Sequence, residues 1–167
     1  FEELKVKSYE LERYFTCSLD LLCIADLEGY FRRLNPQWEK TLGYSLEELE
    51  GRQFLDFVHP DDIAATRRAR SCLSDQKELL NFVNRYRCKD GSYRYIEWRS
   101  YPQGKTIYAA ARDITELKQI IEALRLNEEK YRALVENAGE AIFVAQDYAL
   151  KFVNPRCTEL TGYSMEE

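Results

Sequence analysis

No apolar run in the sequence approaches the ~18 residues that a membrane-crossing helix needs. Histidine is nearly missing, with His59 alone, and the five cysteines (Cys17, Cys23, Cys72, Cys88 and Cys157) include no CxxC pair. A zinc site needs more ligands at tighter spacing, so the cysteines read as reduced, buried or half-buried thiols of a cytosolic protein. Also missing are a phosphate-cradling glycine loop, a nucleophile beside a base, and an acidic metal cluster, which leaves nothing to carry catalysis in these residues. Positive charge is outnumbered: the net charge of −5 argues against nucleic acid or an anionic membrane as partner. The opening FEELKVKSYELERYF is charged and periodic, unlike a signal peptide. The chain starts at Phe1 and has its one methionine at Met165, so it is expected to be cut from a longer protein.

What the chain does have is 45% apolar residues, enough to close a core, in 167 residues, the length of one domain or of one and part of another. It also contains an ungapped repeat. Asn35–Glu48 reads NPQWEKTLGYSLEE and Asn154–Glu167 reads NPRCTELTGYSMEE, with seven of fourteen positions identical. In each copy the Asn is placed to cap a short helix with Pro at its first position, the Gly to end it, and Ser and Glu to form a capping box for the next: Ser45 with Glu48, and Ser164 with Glu167. Two short apolar runs precede each copy and read as a β-hairpin, LLCIAD with YFRRLN and AIFVA with ALKFVN. The second copy stops before it can close a core. Its residues Ile142, Phe143, Val144, Phe152 and Val153 are expected to be covered by the first domain or by another chain, with a swapped sheet as one route.

Elsewhere the pattern predicts a helix from Glu3 to about Ser18, a buried turn at Phe54–Val58, and a helix over 61–74 opened by His59-Pro60-Asp61-Asp62. Three strands should follow at Leu79–Cys88, Ser92–Tyr101 and Lys105–Arg112, the last entered through Pro102-Gln103-Gly104. Alternation turns Phe82, Asn84, Tyr86, Ile96 and Trp98 inward, puts Ile107, Ala109 and Ala111 on one face, and sends Arg85, Arg87, Glu97 and Arg99 to water. Asn84, polar and inward, needs a partner, and a neighbouring backbone group is favoured over a ligand. His59 could be a haem ligand or an acid–base group; with no second ligand or nucleophile nearby it reads as a helix-start residue bonded locally. The run NRYRCKDGSYRYIEWRS mixes basic and aromatic residues, yet its basic positions follow strand alternation, so it reads as a charged sheet face and not as a nucleic-acid surface.

Hairpin, short helices and three antiparallel strands, with Asn35-Pro36, Gly43-Tyr44-Ser45-Leu46-Glu47-Glu48-Leu49, His59-Pro60-Asp61-Asp62, Lys89-Asp90-Gly91-Ser92 and Asp113-Ile114-Thr115-Glu116 in order, resemble the PAS sensory domain. The resemblance covers Leu11–Thr115 fully and Tyr131–Glu167 as a truncated second copy. It implies an α+β fold: a five-stranded antiparallel sheet with short helices over one face, flanked by connector helices. The expected divisions are 1–18 (connector helix), 19–113 (complete domain), 114–136 (connector) and 137–167 (start of a second domain). It further implies a cavity between sheet and helices, for which the candidates are Trp38, Leu42, Phe54, Phe57, Phe82, Asn84, Tyr86, Ile96, Trp98, Ala109 and Ala111, the two alanines forming its floor. The cofactor is left unknown. Phe54 stands where the flavin-reactive Cys of a GRNC-like motif would be, and the 61–74 helix has no histidine, which argues against a cysteinyl flavin and against haem.

Asp113 is placed to cap the connector helix, with Glu116 at its third position, so Asp113, Thr115 and Glu116 are the candidate signal hinge. Leu117, Leu124 and Tyr131 are spaced by seven, as are Ile120, Asn127 and Leu134. Together they form a heptad seam for a homodimer, with Asn127 setting register; the alternative is a helix laying this stripe on its own sheet. The expected function is a cytoplasmic sensory and relay module of a multidomain signalling protein, with any membrane anchor outside these residues. A small molecule in the cavity would act through the C-terminal helix on an output domain. A ligand-free dimerisation and relay module is the alternative. The parent is expected to be a bacterial or archaeal sensor histidine kinase of a two-component system, with a diguanylate cyclase as the other choice.

Overall fold

The computed structural model describes residues 2–163. The chain divides into two compact units, Phe1–Lys118 and Gln119–Glu167.

In the first unit, helix α1 (Glu2–Cys17) leads to strands β1 (Leu21–Asp26) and β2 (Phe31–Leu34). Short helices α2 (Gln37–Leu42) and α3 (Leu46–Leu49) follow, then 3-10 turns at Phe54–Phe57 and Pro60–Asp62 and helix α4 (Ile63–Ser74). Strands β3 (Leu79–Arg87), β4 (Tyr93–Gln103) and β5 (Thr106–Asp113) complete an antiparallel sheet of order β2-β1-β5-β4-β3. A single residue, Ile114, separates β5 from helix α5 (Thr115–Glu136).

Period-two alternation decides which face is buried. Leu21, Cys23 and Ala25 of β1, Tyr86 of β3, Ile96 and Trp98 of β4, and Ile107, Ala109 and Ala111 of β5 all point into the core beneath the helices. Trp38 of α2 is fully buried there. Its indole N–H donates to the Leu22 carbonyl at 3.0 Å, and its ring packs 5.4 Å from Phe31 and 5.7 Å from Trp98. On α1, Leu4 and Leu11 stay exposed. Arg33 ties that helix to β2, pairing with Glu12 and lying 4.5 Å over the Phe15 ring.

The repeated motif folds as expected at several of its parts. Gly43 and Gly162 both close their helices in the left-handed conformation, at φ 80 and 79, where a side chain would be strained. Ser45 and Glu48 form the reciprocal capping box; its counterpart at Ser164 and Glu167 lies outside the described residues. Asn35 departs from its expected role and does not cap α2. Its side chain is fully buried; the Oδ1 accepts the Leu22 N–H at 2.9 Å and the amide donates to the Asp20 carbonyl at 3.0 Å.

In the second unit, strands β6 (Phe143–Gln146) and β7 (Ala149–Val153) form their own two-stranded sheet, followed by helix α6 (Pro155–Thr161). Asn154 here does both jobs. It caps α6 through the Cys157 N–H, accepts the Ile142 N–H at 2.8 Å, and donates to the carbonyls of Glu140 and Val135, each at 3.0 Å. Phe143 and Val144 of this hairpin are exposed. Phe152 and Val153 are half-buried.

Two sequence expectations shift at strand ends. Strand β4 runs on through Pro102, because β3 ends opposite Ser100 and leaves no ladder on that side for a proline to break. Within β3 the alternation is interrupted by a bulge at Asn81, whose φ is 56, so Leu79 and Phe82 both turn toward the core.

Candidate functional site

Between the sheet and α4 lies a cavity of about 50 Å³. Its floor is a row across three strands: Cys23 of β1 stands opposite Ala109 of β5, which stands opposite Ser100 of β4. The methyl of Ala109 keeps the middle of that row low. Phe31, Phe54 and Phe82 make apolar walls, and Arg70 of α4 is the one charged residue among those lining it. The Arg70 guanidinium donates to the Glu28 carbonyl in the β1–β2 turn at 2.9 Å.

Of the sequence candidates, Phe54, Phe82, Asn84, Tyr86, Trp98 and Ala109 are brought together around this cavity. Trp38, Leu42, Phe57, Ile96 and Ala111 are buried core residues that do not line it. Ala111 is displaced from the floor because it stands opposite Trp98, two residues further along β5 than the open row. Thr66, Arg70, Ser100 and Cys23 line the cavity and were not among the candidates. Alternation carried two residues beyond Trp98 would have placed Ser100, and alternation from Leu21 would have placed Cys23.

Asn84 is held by two side chains and not by the neighbouring backbone group that the sequence favours. Its amide donates to the Thr66 hydroxyl at 3.1 Å, and its Oδ1 accepts the Trp98 indole N–H at 2.8 Å. Thr66 in turn donates to the Asp62 carbonyl at 2.8 Å, the usual back-bond of a helical threonine. One polar chain therefore joins α4, β3 and β4 across the cavity. Beside it, the Asp62 carboxylate clamps Arg85 through the Arg85 backbone N–H at 2.8 Å and the guanidinium at 2.7 and 2.9 Å. These bonds hold the Asp62 carboxyl below the ordinary aspartate range.

Tyr86 (1% exposed) and Ser100 (4%) are buried residues of the wall. Burial pushes the Cys23 thiol and the Tyr86 hydroxyl up, so both are neutral at physiological pH. His59 behaves as a helix-start residue: its Nδ1 accepts the Asp61 N–H at 3.2 Å, and its ring meets Tyr93 edge-on at 4.6 Å.

The exit from the sheet is a compact joint. The Ile114 N–H donates to the Tyr95 carbonyl at 2.9 Å, and the Thr115 hydroxyl accepts the Tyr95 N–H at 2.8 Å. Asp113 accepts both the N–H and the hydroxyl of Thr115. The helix thus starts at Thr115, later than the capping pattern implies. Glu116 is exposed, and the buried Thr115 is the residue of this turn whose hydroxyl bonds both Tyr95 and Asp113. Along α5, Leu117, Ile120, Leu124, Tyr131 and Leu134 are each more than half exposed.

The family model for the PAS fold matches residues 31–109, and the model for the PAS domain matches residues 129–167. The chain belongs to the PAS family of sensory, non-catalytic domains. It is 27% identical over 150 residues to the uncharacterized protein y4lL of Sinorhizobium fredii, covering 86% of this chain and 18% of that one. The chain thus spans less than a fifth of the length of the curated relatives it matches. The PAS domain of an HTR-like protein from Haloarcula marismortui superposes with a TM-score of 0.60 at 26% identity, covering 68% of this chain and 96% of that one. A PAS domain from Colwellia psychrerythraea gives 0.59 at 25% identity, covering 66% and 98%. No helix among the described residues is long and apolar enough to cross a membrane.

Proposed function

We propose that this sensory module detects a small molecule in the cavity between sheet and α4 and relays its presence through α5 to an output domain elsewhere in a longer, cytoplasmic chain. The observation that carries this reading is the joint at Tyr95. Ser100 and Ala109 of the cavity floor sit on β4 and β5, and the same two strands hold the first turn of α5. Ala109 is four residues from Asp113, about 13 Å along a strand, so a displacement of the floor needs no loop to reach the helix. A ligand shifts this equilibrium only by binding one position of the strand better than another.

On this reading two copies associate through the α5 seam, with Asn127 as the polar member that fixes register, and the repeat at Asn154 begins a second PAS unit in tandem. A sensor histidine kinase is the output proposed for the parent chain. In the full-length parent, Thr115→Val should weaken the dependence of output on the sensory domain while leaving basal output in place; unchanged dependence would reject the relay. Two observations favour a second reading, a relay without ligand. The cavity is small beside the ~300–1,000 Å³ of most ligand pockets, and Asn84 is already satisfied by Thr66 and Trp98.

A further inference from the structure

Asn154 is fully buried, and its carboxamide is fully hydrogen-bonded. The amide nitrogen donates to the Val135 and Glu140 carbonyls, each at 3.0 Å. The Oδ1 accepts the Ile142 N–H at 2.8 Å and the Cys157 N–H at 3.1 Å. Two carbonyls and two N–H groups leave one orientation of the amide that pairs them all. A single flat, rigid group therefore touches the last turn of α5, the entrance to β6 and the first turn of α6.

The Val135 carbonyl is one of those a helix leaves without an internal partner at its C-terminus. The Ala138 N–H reaches it at 3.4 Å, so Asn154 makes the shorter bond. Between α5 and β6, residues 137–142 form neither helix nor strand and include Gly139. Such a linker can absorb a displacement of the helix. The carboxamide bypasses it, because moving Val135 moves a donor that is rigidly joined to the acceptor of Ile142. The first unit differs in reach. Asn35 bonds the Leu22 N–H and the Asp20 carbonyl in the same way, but its further contact, at 3.5 Å, is to the Ser18 carbonyl, beyond the end of α1.

We propose that Asn154 is the receiving contact of the second PAS unit, coupling the position of the last turn of α5 to the start of that unit's hairpin and to α6. The element that α5 acts on first is then the next PAS unit of the same chain. This rests on α5 carrying the signal, and its test leaves the joint at Thr115 untouched.

Hydrogen exchange resolved to single amides in the full-length parent reads the coupling. Ala133→Gly, at an exposed position, weakens the last turn of α5 and should speed the Asn137 amide about fivefold. Ile142 and Cys157, the two amides bonded to the Asn154 Oδ1, should speed with it by about threefold, and Val144 should not change. Asn154→Asp keeps the acceptor and removes both donors. In that background Ala133→Gly should still speed Asn137 and no longer affect Ile142 or Cys157. If Asn154→Asp does not fold, the first comparison decides alone. An unchanged Cys157 beside a faster Asn137 would mean that any effect at Ile142 travels through the linker, and would overturn the proposal. Equal acceleration in both backgrounds, or acceleration at Val144 as large as at Ile142, would overturn it too. None of these results touches the relay at Thr115, which Thr115→Val reads separately.

Discussion

Asn35 holds a place that spacing alone cannot explain. Read from the sequence, an Asn before Pro is a helix cap, and in the second copy Asn154 does cap α6. Both residues are fully buried, and both bind the backbone N–H at the start of the preceding strand pair, Leu22 in one unit and Ile142 in the other. That contact spans more than ten residues and becomes visible only once the hairpin is folded. Asn35→Ala leaves the Leu22 N–H and the Asp20 carbonyl buried without that partner, so stability to urea should fall by about 2–3 kcal/mol. Asp62 gives a prediction in pH. Its carboxyl ionises below the ordinary aspartate range in the folded chain, mainly through the Arg85 bonds. Its contribution is therefore fully present above the unfolded aspartate pKa and is lost as pH falls through the lowered folded value. Asp62→Asn should cost about 1 kcal/mol at neutral pH, and thermal melts across pH should show the gap to the parent protein closing in acid.

At the level of elements, alternation was a sound guide to the sheet and a poor one to its ends. The inward faces of β3, β4 and β5 follow from period two alone. The bulge at Asn81 and the run of β4 through Pro102 depend on where the neighbouring strand stops, which no local pattern encodes. The same limit explains the cavity: the aromatic wall was legible in the alternation, whereas Thr66 and Arg70 face it because of how α4 packs on the sheet. The start of α5 belongs here too. Thr115→Val keeps the side-chain shape and removes its hydroxyl bonds to Tyr95 and Asp113, so the Tyr95 amide should exchange about tenfold faster, equivalent to roughly 1.4 kcal/mol. Along α5 the exposed seam predicts self-association. Leu124→Glu should shift sedimentation equilibrium toward monomer, and Asn127→Ile should strengthen association while loosening its register.

For the molecule as a whole, the central claim is mechanical. The cavity floor and the anchor of α5 are parts of the same two strands, so repacking one must be felt by the other. A packed interior transmits small changes because it has few soft directions. The direct measurement is amide hydrogen exchange across residues 106–118 in the 167-residue chain, compared between the parent protein and Ala109→Val, which adds two methyl groups to the middle of the floor row. The account predicts altered protection at Ile114, Thr115 and Lys118, with the amides of α2 and α3 unchanged as an internal control. Altered protection at Cys23 and Ser100 with the first turn of α5 unaffected would contradict it.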